Sequence, residues 1–183
     1  SGQVYHYGEE AVEIVYSVED YYPEPLNYNN SSSLVLRLHA KGNTVMLLAD
    51  TTHTSGARMM ELHRDALKSD MVQIAHHGVE GGSIALYEKI GASVAFWPCN
   101  EALFANNRGG AIKQHLIESG YTYEHILQDM GTVTRKLSYR PTAPDMMDLM
   151  PSDSSALGTG SGADNARIED GVLKYNVTST TDS

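Results

Sequence analysis

Three short apolar runs, "TVMLLAD" (44–50), "DMVQIA" (70–75) and "SVAFWPC" (93–99), constrain the fold of this chain more than any other feature. The segments between them have helical rather than strand spacing. In "SGARMMELHRDALKS", Met59, Leu62, Ala66 and Leu67 fall on one helical face, and Thr54 or Ser55 stands where an N-cap belongs. "SIALYEKIGA" reads as a second helix, closed by Gly91. A strand that is apolar almost throughout, as 44–50 is, needs cover on both faces. Strand, helix, strand, helix, strand then specifies a layered α/β domain, with helices covering one face of a mixed sheet.

The flanking segments extend this unit. Residues 3–7 and 11–18 alternate apolar and polar around Gly8, and 34–40 pairs naturally with 44–50 across Lys41-Gly42-Asn43, so two hairpins are expected. "EDYYPEPLNYNNSSS" joins them as a loop. "GGAIKQHLIESG" has helical spacing, and 121–128 with 131–139 reads as a closing pair of strands. After Tyr139 the texture becomes rich in Pro, Ser, Gly and Met without period. The domain is therefore expected to span 1–140, with 141–183 a linker or disordered tail holding one short strand at 171–177.

Composition sets limits on function. At 183 residues, 41% apolar and 20% charged, the chain reads as one soluble domain with a real core. No window approaches the roughly 18 apolar residues of a membrane span, and "SGQVYHYGEE" has no export-signal pattern. A net charge of -10 argues against nucleic-acid binding over a broad basic surface. Cys99 is the single cysteine, which removes disulfides and cysteine-based zinc knuckles; a lone strand-end cysteine is read as a small buried hydrophobe.

All three central strands end at polar groups: Asp50 after the first, His76 and His77 after the second, Cys99 and Asn100 after the third. Ligands of open α/β sheets sit at the carboxyl edge of the strands. A carboxylate and two imidazoles there are the donor types of zinc, manganese or iron sites, and a carboxylate can bridge two ions. Spacing alone leaves two readings open. Asp50 followed by Thr51-Thr52 also fits a turn or helix cap, and a histidine after a strand also fits a satisfied polar residue. Gly78 after the pair suits close approach of backbone to an ion or substrate. His53 and His63 are expected to be solvated and His39 to lie on an exposed polar face, while His6, His115 and His125 have no partner at ligand spacing.

"NYNNSSSLVLRL", "GNTVMLLADTT", "LKSDMVQIAHHG" and "IGASVAFWP", taken together, resemble the C-terminal half of metallo-β-lactamase-fold hydrolases. The similarity is to the branch holding the hydrolase domain of ComEC-type competence proteins and phosphorylcholine esterases, and it covers about Gln3 to Tyr139. The resemblance implies an αββα sandwich, with Asp50 as the metal-bridging aspartate and His77 as the late histidine ligand. His76 would stand beside the substrate phosphate in a catalytic role, with Asn30 and Ser33 shaping the substrate-binding loop. Two zinc ions, or manganese, would then act on a small-molecule or phosphodiester substrate through a metal-bound hydroxide.

Departures from the family pattern are Ala49 in place of a glycine, a change expected to be tolerated in a strand, and Val79 in place of a serine. A histidine-proline pair is absent from "ANNRGG". The family's principal His-x-His-x-Asp-His motif is absent from all 183 residues. The non-methionine start, Ser1-Gly2, supports a fragment of a longer bacterial-type protein, cytoplasmic or extracytoplasmic, rather than a degenerate domain. The alternatives are a non-catalytic domain of the same fold and a nucleic-acid-processing domain of a competence-type membrane protein.

Overall fold

A computed structural model describes residues 1–20, 30–79, 81–106, 110–141, 165–169 and 172–176. The main sheet has seven strands in chain order: β1 (Val4–Tyr7), β2 (Glu10–Tyr16), β3 (Val35–Ala40), β4 (Asn43–Leu47), β5 (Met71–Gln73), β6 (Val94–Trp97) and β7 (Glu124–Leu127). The first four run antiparallel, as the two expected hairpins require. From β4 to β7 every neighbour is parallel. The sheet is therefore mixed, and its parallel half is the part joined by helical crossovers.

Four helices are present among the described residues: α1 (His53–His63), α2 (Ile84–Ile90), α3 (Glu101–Ala105) and α4 (Gly110–Glu118). Local chemistry explains their ends. The Ser83 side chain accepts from Leu86 N–H at the start of α2, and Gly91 closes that helix at φ 59°. α1 opens on a reciprocal capping box between Thr52 and Ser55, so the N-cap is Thr52 rather than Thr54 or Ser55. The helix ends earlier than its apolar spacing suggests, because Arg64 turns left-handed at φ 49°. Leu67 is still buried, but Leu62 is 40% exposed. α3 has no counterpart in the sequence reading; Asn100, expected only as a strand-end polar residue, is its N-cap and accepts from Leu103 N–H at 2.8 Å.

Alternation along the parallel strands sends side chains to two faces. On one face Met46, Leu48, Val72, Ala95, Trp97 and Leu127 pack with Met59 of α1, Leu86, Tyr87 and Ile90 of α2, and Leu116 of α4. On the other, Val45, Met71, Val94, Phe96 and Ile126 are covered by Leu137, with Val133 and Tyr139 at the margin. Each fully buried side chain of this size contributes about 1.5–3 kcal/mol. The second face explains the one clear departure in topology. The segments 121–128 and 131–139 do not pair as a closing hairpin: β7 is taken up as the parallel neighbour of β6, and the chain then crosses the exposed apolar face.

That crossing strap is fastened at both ends. Asn43, 2% exposed at the start of β4, donates to Tyr139 C=O at 3.0 Å and accepts from Tyr139 N–H at 2.7 Å. Arg140 donates to Gly42 C=O at 2.8 Å. Near the other end, Arg135 pairs with Glu124, whose residue is 1% exposed in β7. The strap contains β8 (Val133–Lys136), which joins β10 (Val172–Asn176) and β9 (Asn165–Glu169) in a separate antiparallel sheet ordered β8-β10-β9. β10 matches the expected strand at 171–177, whereas β9 falls in a stretch read as tail. The rest of the expected tail, 142–164, 170–171 and 177–183, lies outside the described residues. No helix among those described is long and apolar enough to cross a membrane.

Candidate functional site

β4 and β5 are parallel neighbours, with Leu47 opposite Gln73. Their C-terminal extensions therefore leave the sheet side by side, carrying Asp50 on one and His76-His77 on the other. Ala49 joins the two. Its N–H donates to Gln73 Oε1 at 2.9 Å, and its C=O accepts from His76 N–H at 2.9 Å. Both backbone groups of the residue before Asp50 are thus used across to the β5 side.

The conformations at this edge are unusual. Ala49 has φ 48°, His76 φ 49° and His77 φ 56°, followed by Gly78 at φ 72°. Positive φ costs a non-glycine residue about 1–2 kcal/mol. Of the five such residues described, three lie here. Such conformations persist only where the surroundings over-determine them. The expectation that alanine replaces the family's glycine within ordinary strand conformation is corrected: β4 ends at Leu47, and Ala49 occupies the left-handed region in which glycine is unstrained. Ala49→Gly should accordingly stabilise the protein by about 0.5–1 kcal/mol, relief of strain exceeding the added entropy of the unfolded chain. Urea unfolding checks this; no gain, or a loss, would contradict the strain assigned to Ala49.

Successive left-handed residues splay the two imidazoles, whose ring centroids stand 6.1 Å apart at 53°. His77 turns toward Asp50, with Nε2 at 3.7 Å from Oδ1. His76 turns the other way and meets Asn30, Nε2 to Nδ2 at 3.2 Å. Asn30 begins a single 3-10 turn, Asn30–Ser32, that is anchored from two sides: Tyr16 Oη donates to Ser31 C=O at 3.3 Å, and Ser31 Oγ lies 3.2 Å from Thr52 Oγ1. Ser33 N–H donates to Asn30 C=O at 3.2 Å, so Ser33 helps close the turn. Asn30, Asp50, His76 and His77 are brought to one edge; the bond given by Ser33 serves the backbone.

Asp50 is not the helix cap, a role that Thr52 fills. Its carboxylate side chain is 39% exposed and that of His77 is 53% exposed. The pair is open to solvent and backed by a rigid floor. Tyr87 Oη accepts from Ala75 N–H at 3.0 Å and donates to Gly81 C=O at 3.3 Å, tying α2 to the approach and exit of the histidine turn. Burial pushes its phenol pKa well above the usual range. Trp97 lies under Gly78: a Cβ at 78 would stand 2.7 Å from Trp97 Cε3 and 3.7 Å from Cys99 Sγ. Cys99 itself is 3% exposed within the core, as expected of a small buried hydrophobe.

The remaining histidines have structural partners or lie open. His63, expected to be solvated, is half-buried at the end of α1 and lies 2.6 Å from Val15 C=O through Nε2, which ties the end of the helix to β2. His39 lies on the polar alternation of β3 and meets Glu13, 2.8 Å away, which Arg37 also holds. His115 meets Tyr121 Oη at 3.2 Å. His125 accepts through Nδ1 from Trp97 Nε1 at 3.1 Å, and burial lowers its pKa to about 4. His6 and His53 are exposed.

Gln73, Thr52, Tyr87 and Trp97 build the edge, although sequence reasoning does not single them out as site residues. Thr52 carries a local signal in its spacing to Ser55; the other three act through partners that only the fold supplies. Zinc bonds nitrogen and oxygen ligands at about 2.0–2.2 Å, so donors 3.7 Å apart can contact the same ion. The donor types and their spacing fit such a metal. No group of three or more His, Cys, Asp or Glu among the described residues is arranged to hold one. Compared with protein-family models and with curated proteins, the chain matches none.

Proposed function

We propose that this chain is the C-terminal half of a metallo-β-lactamase-fold, metal-dependent hydrolase acting on a phosphodiester or related ester. The observation that carries the reading is the convergence of Asp50 and His77, from the ends of adjacent parallel strands, to 3.7 Å. The resemblance of the four sequence segments to this fold family is the support for the fold and the substrate class. Asp50 and His77 would hold zinc or manganese as a partial ligand set, completed by donors outside the described residues. The metal, when bound, supplies Lewis acidity for ester hydrolysis. The chain's own residues fix the two donors: Ala49 ties their backbones, the left-handed turn aims His77 at Asp50, and Trp97 fills the space beneath Gly78.

Calorimetric titration of the chain with zinc provides the test. Two protein ligands should give a weak site, and Asp50→Ala or His77→Ala should weaken it further by on the order of tenfold or more. His6→Ala, exposed on β1, should leave it unchanged. Equal effects from all three variants would sink the ligand assignment. In a chain that also carries the N-terminal ligand motif, Asp50→Ala and His77→Ala should each abolish hydrolysis of bis(4-nitrophenyl) phosphate.

A further inference from the structure

The two adjacent histidines have different partners, and the chemistry of those partners differs in kind. Asp50, opposite His77, offers acceptor oxygens and negative charge, which is what a metal ligand set requires. Asn30 presents its amide nitrogen to His76 Nε2 at 3.2 Å. An amide nitrogen only donates, so the Nε2 that faces it must accept, and a neutral imidazole that accepts at Nε2 carries its proton on Nδ1. The second-neighbour hydrogen bond of a histidine fixes which ring nitrogen is protonated and which can take a metal.

From this contact we infer that Asn30 is a positioning residue that sorts the pair: it holds His76 as the Nδ1–H tautomer with Nε2 engaged, and so leaves His77 as the histidine that receives a metal beside Asp50. Both ends of the contact are anchored. The Asn30–Ser32 turn is held by Tyr16 and Thr52, while the His76 N–H is held by Ala49 C=O. His76 keeps Nε2 on Asn30 because left-handed φ at both histidines rotates the rings apart. The tautomer is argued from the geometry of the Asn30 contact; the consequence for metal choice rests on the proposed function.

Long-range nitrogen–proton correlation spectra of the histidine rings, recorded on this chain in mildly alkaline solution where imidazole is neutral, read the tautomer directly. In the unmodified chain His76 should show a protonated Nδ1 and an acceptor-type Nε2. Asn30→Asp replaces the donor with acceptors only and should move the proton to Nε2, while Asn30→Ala should release the ring toward the mixture seen for free imidazole. His77 should change in neither. His76 protonated on Nε2 in the unmodified chain would overturn the proposal, as would nitrogen shifts that ignore Asn30→Asp. Zinc added to the unmodified chain should perturb the nitrogens of His77 first, and in Asn30→Ala those of both rings. Zinc binding through His76 first in the unmodified chain would overturn the sorting role. If zinc moves neither ring, the metal reading fails and the sorting role with it, while the tautomer spectra still decide independently whether Asn30 sets the proton of His76.

Discussion

Gly78→Ala should destabilise the protein by about 3 kcal/mol. Two terms act in the same direction. The position has φ 72°, where a side chain costs about 1–2 kcal/mol. The added methyl would also meet the Trp97 ring at 2.7 Å, closer than real Cβ contacts, and overpacking of this kind costs about 1–3 kcal/mol. A smaller entropy of the unfolded chain returns about 0.4–1 kcal/mol. Trp97 cannot retreat easily: its indole is 1% exposed, donates to His125 at 3.1 Å and packs edge-on against Phe104 at 5.0 Å. At about 2–4 °C per kcal/mol for a domain of this size, the melting temperature should fall by roughly 6–12 °C. A fall of less than a degree would mean that the indole is not the floor of the histidine turn.

The second large effect is acid sensitivity carried by His125. Burial lowers its pKa from 6.5 to about 4 in the folded protein, and its Nδ1 accepts from Trp97, so a protonated ring would set two donors against each other. The unfolded chain takes up this proton as pH falls below 6.5, whereas the folded protein does not until about 4. Stability present above 6.5 is therefore lost as pH falls through that interval, by about 3 kcal/mol at the lower end. His125→Gln removes the titration and keeps an acceptor in reach of the indole. Urea unfolding followed across the interval should show a flatter pH dependence in the variant. Parallel curves for the two proteins would remove His125 as the source. Glu13 also loses stability in acid, but from below its ordinary 4.5: burial raises its pKa, and hydrogen bonds from His39 and Arg37 outweigh that and hold it low. The two contributions separate by pH.

Much of this fold can be read from local pattern. The hairpins announce themselves through alternation around Gly8 and Gly42, α2 through Ser83 and Gly91, and the central strands through uninterrupted apolar runs. What local pattern lacks is neighbour choice. Period-two alternation shows that 121–128 and 131–139 are extended, but not that the first pairs with β6 while the second crosses the opposite face. Positive φ at Ala49, Arg64, His76 and His77 is equally silent, since none of these residues advertises it as glycine does. The early end of α1 and the splaying of the imidazoles follow from those angles, and so are not legible in the sequence. Asp50 and the histidine pair are legible as strand-end groups. Their assignment to different partners is not, because Asn30 reaches His76 across 46 positions through a turn anchored by Tyr16.

The strap over the second sheet face has a consequence for how the chain is made. Every strand it covers precedes it in sequence, and its fastening to Asn43 joins residues 96 positions apart. Until Tyr139 has left the ribosome, the face formed by Val45, Met71, Val94, Phe96 and Ile126 lacks the cover that the strap gives it. Such a surface is open to association with other unfinished chains. Premature termination between Ile126 and Val133 should therefore lower the yield of dispersed protein relative to the same chain carried through Tyr139, because the strap's apolar contacts are lost with it.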